Sequence, residues 1–543
     1  MRFETRLTPE LIRRYSDAGY WRDRVLTDFL DEHAAATPDA TAFVDSRGSV
    51  TFGELKERSD RVALGLLELG VGPGDVVSFQ LPNWVEWVVV HLAATRIGAV
   101  SNPLIPIYRE REVGFMMGLG ETKVVVVPRE FRGYDYPAMI ERARPEVPTL
   151  EHVIVVDGQG EGTWSWADFT ATPWEERRDP AQLSSLRPDP NEVTLLIFTS
   201  GTTGEPKGVM HTHNTLVSAN DPLPDRLGIG ADTVFHMAST LAHLTGFLYG
   251  ARLGLQNGRP CVLQDVWDPR RFCDLVEEHH ISYTSAATPF LHDLLDVPGL
   301  AERDLSSMRL FCCMGAPIPR AMVRRAREAL PGMTVLGGWG QTENALVTLG
   351  VPGDPEEKIV ETDGHPWPGM HIRVVGPDGG ELPAGTEGAL QVEGPFVTVG
   401  YAKRPEWTAS AFPDGWFDTG DLATIDEQGY VKISGRTKDI IIRGGENIPV
   451  AYVENVLYEH PDLAALALVG LPDPRLQERA ALVCVMREGA EPLDLDGLRR
   501  FLEGKGVARQ YWPERVAVVD ELPRTSSGKI QKFRIRESLQ EQR

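Results

Sequence analysis

Hydrophobic residues run through most of this chain in two alternating rhythms. From Leu55 to Leu69 they fall at helical spacing, and Gly70 and Pro73 end the run, which predicts an amphipathic helix. Asp75 to Leu81 reads as a strand leading into a helix that begins near Asn83. Lys123 to Val127 and Val153 to Val156 have the pattern of buried parallel strands. The repeated strand–helix order predicts an α/β fold of layered sheets and helices over residues 1–436. The most apolar long stretch runs from Trp84 to Val100. Glu86, His91 and Arg96 interrupt it, which favours a core helix over a membrane span.

From about Thr437 the pattern becomes that of a separate small α+β unit. Val450, Val453, Val456 and Leu457 line one face of a helix that stops before Pro461. Leu466 to Val469 and Ala481 to Met486 read as strands, and Leu495, Leu498, Phe501 and Leu502 form a second helical face. The expected organisation is a large N-terminal domain, 1–436, and a small mobile C-terminal domain, 437–543. No Pro/Gly-rich linker marks the border, so composition alone places it only weakly at Gly435–Asp439.

Composition narrows the function classes. The 543 residues exceed one ordinary domain, and a formal net charge of -23 argues against a nucleic-acid binder, which needs a basic surface. Nucleotide binding stays open, because backbone amides and one lysine can hold a phosphate. The five cysteines include no CxxC pair, and Cys312 and Cys313 sit together in an apolar run as buried strand residues would. This usage fits a reducing compartment, and the charged N-terminus lacks the apolar core of a signal peptide, so a cytoplasmic location is expected.

The most informative segment is TLLIFTSGTTGEPKGVMHTH, Thr194 to His213. A hydrophobic strand enters Thr199, Ser200, Gly201, Thr202, Thr203 and Gly204, a run whose small residues let backbone amides wrap an anion, and Lys207 adds a positive charge. It is not a Walker loop, since Lys207 is followed by Gly208 and no GK[ST] occurs.

This segment resembles the phosphate-binding signature of the adenylate-forming superfamily, which includes acyl-CoA synthetases, amino-acid-activating domains and beetle luciferases. The superfamily's other signatures follow in order from Thr51 to the C-terminal SGK. Met314-Gly315-Ala316-Pro317 resembles the adenine-facing GGAP, with Met314 in place of the first glycine. Trp339-Gly340-Gln341-Thr342-Glu343 is similar to YGxTE. The resemblance implies magnesium for Glu343, the α-phosphate for Thr342 and the adenine face for Trp339, which keeps a stacking surface but loses the tyrosine hydroxyl. GWFDTGDLA resembles the ribose segment, with Asp421 accepting from both ribose hydroxyls and Arg436 a further ribose contact. Lys438 falls at the family's hinge position, and Gly444 and Gly445 resemble the turn lining the pantetheine tunnel. His243 in LAHLTG is expected near the substrate carboxylate, and Lys529 resembles the catalytic lysine of the C-terminal loop.

The implied activity is that of an ATP-dependent acyl-CoA ligase, with Mg2+ as cofactor and ATP, coenzyme A and a carboxylic acid as partners. A homodimer is compatible with this set. The wording of IIRGGENIPVAYVE and GAPIPR resembles medium-chain and cyclohexanecarboxylate CoA ligases. In such enzymes the acyl pocket would be lined here by Leu244, Phe247, Leu248, Tyr249, Met314, Val335 and Leu336, with room left beside Gly337 and Gly338. That predicts an apolar acid of medium length or with a ring. Three alternatives share these motifs: an enzyme that loads a carrier-protein thiol, a luciferase-like oxygenase, which is a rare outcome, and a catalytically dead nucleotide sensor, which retention of Glu343 and Lys529 disfavours.

Overall fold

In the computed structural model of the chain, residues 3–199, 206–316, 318–436, 441–443, 446–525 and 528–541 are described. Two large mixed sheets dominate. The first runs, in spatial order, through strands at 365–366, 345–349, 334–341, 310–313, 283–286, 235–237, 261–263, 41–45 and 48–51. Its central strands are parallel, with antiparallel strands closing both edges. The second runs through 400–401, 207–212, 193–199, 100–103, 76–79, 122–128, 152–156 and 164–165. A third, antiparallel sheet of 371–375, 388–393, 417–425 and 431–436 carries the ribose-like segment.

The expected elements form with small boundary shifts. The helix Phe52–Glu68 starts on a capping box in which the Thr51 hydroxyl accepts from Glu54 N–H and Glu54 reaches back to Thr51 N–H. The strand Val76–Phe79 leads to the helix Val85–Arg96, which is buried around nearly its whole circumference. It is a core helix, and none of the described helices is long and apolar enough to cross a membrane. Its two interrupting basic residues are accommodated differently. Arg96 forks onto Asp31 at 2.6 and 2.7 Å, while His91 lies wholly inside the protein. Cys312 and Cys313 are buried in the strand Leu310–Cys313, and burial pushes both thiols up to about 12.

The C-terminal region is built as the pattern predicts. The helix Val450–Leu457 packs on a long hairpin, Leu463–Asp473 with Gln477–Met486, and the helix Leu495–Gly504 closes the same core. Lys438, like 437 and 439–440, lies outside the described residues, as do Gly444 and Gly445.

One buried ion pair ties the segment after Gly315 to the turn that leads into the edge strand 365–366 of the first sheet. Arg320 opens the helix Arg320–Ala329 and donates to both oxygens of Asp363, at 3.2 and 3.1 Å, and to the Thr362 carbonyl. Asp363 also accepts from Ile433 N–H at 2.9 Å. Removing one partner strands a buried charge. Arg320→Ala is therefore expected to lower the unfolding free energy by about 3–5 kcal/mol, read as a lower urea midpoint. An unchanged midpoint would show that the pair carries no stability.

Candidate active site

The strands Val193–Thr199 and Lys207–Thr212 form an antiparallel hairpin in which Thr199 stands directly opposite Lys207. The Gly-rich run joins these two strands in the sequence. Ser200, Gly201, Thr202, Thr203 and Gly204 fall outside the described residues. Lys207 keeps its ammonium 4.9 Å from the ring centre of Tyr401 and 5.5 Å from that of Trp407. Tyr401 sits there because the short strand Gly400–Tyr401 pairs with the hairpin, Val209 facing Tyr401. Its hydroxyl donates to Glu343 Oε1 at 3.0 Å, so one aromatic residue touches both the hairpin's cation and the candidate metal carboxylate.

The Trp339–Glu343 segment owes its shape to a β-bulge. Strand Thr334–Gln341 pairs with Ala345–Leu349, and the register slips between Trp339 and Gly340. A Cβ on Gly340 would stand 1.8 Å from the Ala345 carbonyl oxygen, so this position excludes every side chain. The turn also holds Ala345 at φ +52°. The bulge aims Trp339 and Gln341 at one carboxylate: Asp421 Oδ2 accepts from the indole Nε1 at 2.8 Å and from Gln341 Nε2 at 2.9 Å. Oδ1 accepts from Arg436 Nε at 3.0 Å. The Trp339 substitution thus loses a hydroxyl but supplies an indole N–H, which fixes the orientation of Asp421. His211 braces the same segment, Nε2 donating to the Thr342 carbonyl at 2.7 Å. Burial pulls its pKa down to about 4, so it is a neutral, structural donor.

Lys529 enters from the C-terminal region on a tight turn. Arg524 and Ile530 bridge across it, Thr525 N–H donates to the Lys529 carbonyl at 2.7 Å, and Lys529 N–H donates to the Thr525 hydroxyl at 3.0 Å. Gly528 has φ +82° and lies against Pro289. The Lys529 side chain passes Gly315, whose added Cβ would stand 3.8 Å from Lys529 Cε. It ends in a small cavity lined by Ser239, His243, Thr245, Ala287, Met314 and Gly315. Desolvation, then the nearby Arg436 charge, lowers the ammonium to about 8 against the pull of Asp421 and Glu343.

His243 caps the turn Leu244–Gly246, its Nδ1 accepting from Thr245 N–H at 3.3 Å. Nε2 therefore carries the proton, and burial with Lys529's charge lowers the ring's pKa to about 3, so His243 is a neutral hydrogen-bond donor. The glycine of this motif has a steric cause, since a Cβ on Gly246 would meet the Thr240 carbonyl oxygen at 2.3 Å.

The sequence matches the AMP-binding enzyme family model over residues 30–402 and the AMP-binding enzyme C-terminal domain over 452–529. The chain belongs to the AMP-binding enzyme family. Within it the chain falls in the acyl-CoA synthetase branch, as an AMP-forming acid–thiol ligase. It is 36% identical over 533 residues to a medium-chain fatty-acid–CoA ligase of Escherichia coli K12, covering 97% of this chain and 92% of that one. It is 32% identical over 504 residues to a Rhodococcus jostii ligase that joins a methyl-dioxo-octahydroindenyl propanoyl group to CoA, covering 92% and 96%. Among solved structures, ATP-bound MatB of Rhodopseudomonas palustris superposes with a TM-score of 0.83 at 30% identity, covering 94% of this chain and 98% of that one.

For this synthetase the structure brings together Lys529, His243 and Gly315 in one cavity, and Trp339, Gln341, Asp421 and Arg436 in one network. Ala316 follows Gly315, and Pro317 is outside the described residues. Three residues expected beside the acyl group, Phe247, Gly337 and Gly338, have close neighbours of their own. Phe247 turns away to pack on Trp87 and His91, at 5.6 and 4.9 Å between ring centres. The space beside Gly338 is filled by Leu349 and Leu346, and that beside Gly337 approaches the Thr362 carbonyl and Ile318. Those glycines serve close strand packing instead of pocket room. Tyr401, Trp407 and His211 escaped sequence reasoning, because each acts through contacts distant in sequence.

The Lys529 shift has two consequences. Between pH 8 and 10.5 the native amine loses its proton before the unfolded one does, so its opposition to folding, full below pH 8, fades as pH rises. At pH 8 roughly half of Lys529 is the free amine, against well under 1% for an ordinary lysine. In a pH series on protein with 13C-labelled lysine side chains, the Lys529 Cε resonance is expected to titrate with a midpoint near pH 8, while ordinary lysines titrate near about 10.4. A midpoint at the ordinary lysine value would contradict the shifted pKa.

Proposed function

We propose that this ligase converts a medium-chain or cyclic apolar carboxylic acid first to its acyl adenylate and then to the acyl-CoA thioester. The observation that carries this is the Lys529 ammonium, desolvated in the cavity that holds His243 and Gly315 and within the fields of Asp421 and Glu343. A carboxylate attacking the α-phosphate brings two negative groups together. An ammonium between them offsets that repulsion, and a desolvated one does so with little solvent to reorganise. In our reading Thr199 to Lys207 cradles the phosphates, with Thr342 at the α-phosphate. Asp421, oriented by Trp339, Gln341 and Arg436, takes the ribose, and Gly315 to Pro317 with the Trp339 ring takes the adenine. His243 donates a hydrogen bond from Nε2–H to the acid's carboxylate oxygen.

Magnesium favours one or two carboxylates together with substrate phosphates. Glu343 fits, since it offers a hard oxygen donor beside the phosphate hairpin and Tyr401 fixes one of its oxygens. When bound, the ion would neutralise phosphate charge. The second half-reaction needs the C-terminal domain to turn about Lys438, withdraw Lys529 and present Gly444 and Gly445 to the pantetheine. The thiol then attacks the acyl carbonyl and AMP leaves with its phosphate. We place the enzyme in the cytoplasm, where ATP and CoA are available and its cysteines stay reduced.

The role given to Lys529 is tested by separating the half-reactions. Lys529→Ala should lower adenylate formation by about 10²–10³ and leave thioester formation from supplied acyl adenylate close to wild type. Equal losses in both would remove the lysine from the first transition state.

The acid follows from the lining. Lys529 and His243 are engaged by the reacting carboxylate in this reading, and the rest of the lining, Ser239, Thr245, Ala287, Met314 and Gly315, is uncharged, so a second carboxylate would be buried unpaired at a cost of several kcal/mol. Each buried methylene instead contributes about 0.8 kcal/mol. The relatives named above act on a medium-chain fatty acid and on a fused-ring propanoate. Across acetate, hexanoate, octanoate, cyclohexanecarboxylate, benzoate, malonate and palmitate, kcat/KM should be highest for the six- to eight-carbon and ring acids. A preference for malonate, acetate or palmitate would refute the assignment.

A further inference from the structure

Arg252 ends a π-helical turn, Phe247–Arg252, that continues from the His243 cap. Such turns are rare in proteins and are frequently found at functional sites. Here the turn is held by Asn220, whose Nδ2 donates to the Leu248 carbonyl and to Gln256 Oε1, each at 2.9 Å. Arg252 is 1% exposed, yet Nε, Nη1 and Nη2 all lack a hydrogen-bond partner among the described residues. No carboxylate among those residues forms an ion pair with it. Its guanidinium lies 5.4 Å from the centre of the Phe247 ring, which is a weak partner for a buried cation.

The groups around that ring share the same deficit. Trp87 and His91 both pack on Phe247, and the indole Nε1 of Trp87 and Nε2 of His91 are buried and unpaired. The Ser101 hydroxyl can donate to His91 Nδ1, 2.8 Å away, which leaves Nε2 as an N–H donor. His213, at the start of the helix His213–Asn220, has Nδ1 unpaired. Burial first, and the Arg252 charge second, holds both histidines well below their ordinary pKa, so they are neutral and cannot balance it. The guanidinium itself is lowered only to about 9 and remains charged at neutral pH.

A buried charge with no counter-charge among the described residues is among the most unfavourable arrangements in a protein interior, and here it shares the Phe247 ring with two side chains that carry unpaired polar atoms, and its charge also acts on His213. Buried water could occupy the donors, but it would leave the charge uncompensated. A small anion meets both needs at once. We propose that Arg252, with Trp87 Nε1, His91 and His213, forms an internal site for a monovalent anion of halide or formate size. The site is separate from the Lys529 cavity, whose lining includes none of these residues.

The test uses the full-length protein. Thermal unfolding is followed at constant ionic strength while sodium gluconate, whose anion is too large to enter, is exchanged for sodium bromide or formate. The midpoint should rise saturably, by about 2–4 °C once the anion is well above its dissociation constant. Crystals grown in bromide should show an anomalous peak beside the Arg252 guanidinium. Arg252→Met should abolish the saturable rise. If that variant does not fold, Trp87→Phe removes a single donor and should raise the half-saturating concentration by roughly 5–10-fold. A wild-type midpoint indifferent to the exchange overturns the proposal. So does an identical saturable rise in Arg252→Met, an unshifted half-saturation in Trp87→Phe, or bromide bound elsewhere only.

Discussion

An ammonium stripped of water is unfavourable until something negative arrives beside it, and this enzyme holds Lys529 in that condition. The Arg524–Ile530 turn carries the side chain past Gly315 into a cavity formed by residues from distant parts of the chain. Much of the surrounding architecture answers that requirement. The neutral rings of His243 and His211 supply hydrogen bonds without adding positive charge to a region already loaded with Lys207, Arg436 and Lys529. Asp421 and Glu343 keep the lysine from losing its proton altogether.

Asp421 is the second organising element. Donors from the bulged strand and from the neighbouring strand of the third sheet meet on its two oxygens. Because its carboxylate is buried, those bonds are stronger than they would be in water, and their loss would be felt by every element they join. The route from sequence to site is short here. A glycine permits a bulge, the bulge turns an indole and an amide the same way, and the carboxylate between them becomes rigid.

The fold was legible in the sequence wherever periodicity was strong. The Phe52–Glu68 helix, the strands around 122–128 and 152–156, and the C-terminal hairpin and helices all formed within a few residues of expectation. Residues at the site were legible through short motifs whose spacing is fixed by local chemistry, such as Trp339 to Glu343 and Gly528-Lys529. What local pattern could not convey was pairing across the fold. Tyr401 reaches Glu343 through a strand contact with the Val193–Thr212 hairpin, and nothing near either residue encodes it. Gly337 and Gly338 show the opposite failure. Absence of a side chain suggested open space, whereas neighbouring strands come close enough to fill it.

The close approach at Gly340 also divides the site by evolvability. Gly340 and Gly246 are each pinned by a backbone carbonyl within 2.3 Å of any added carbon, so no library of variants can use those positions to reshape the enzyme. Met314, Ala287, Ser239 and Thr245 line the cavity through side chains. Change at this cavity, in nature or in the laboratory, is thereby channelled into a handful of interchangeable positions, while the backbone frame around it stays fixed by sterics.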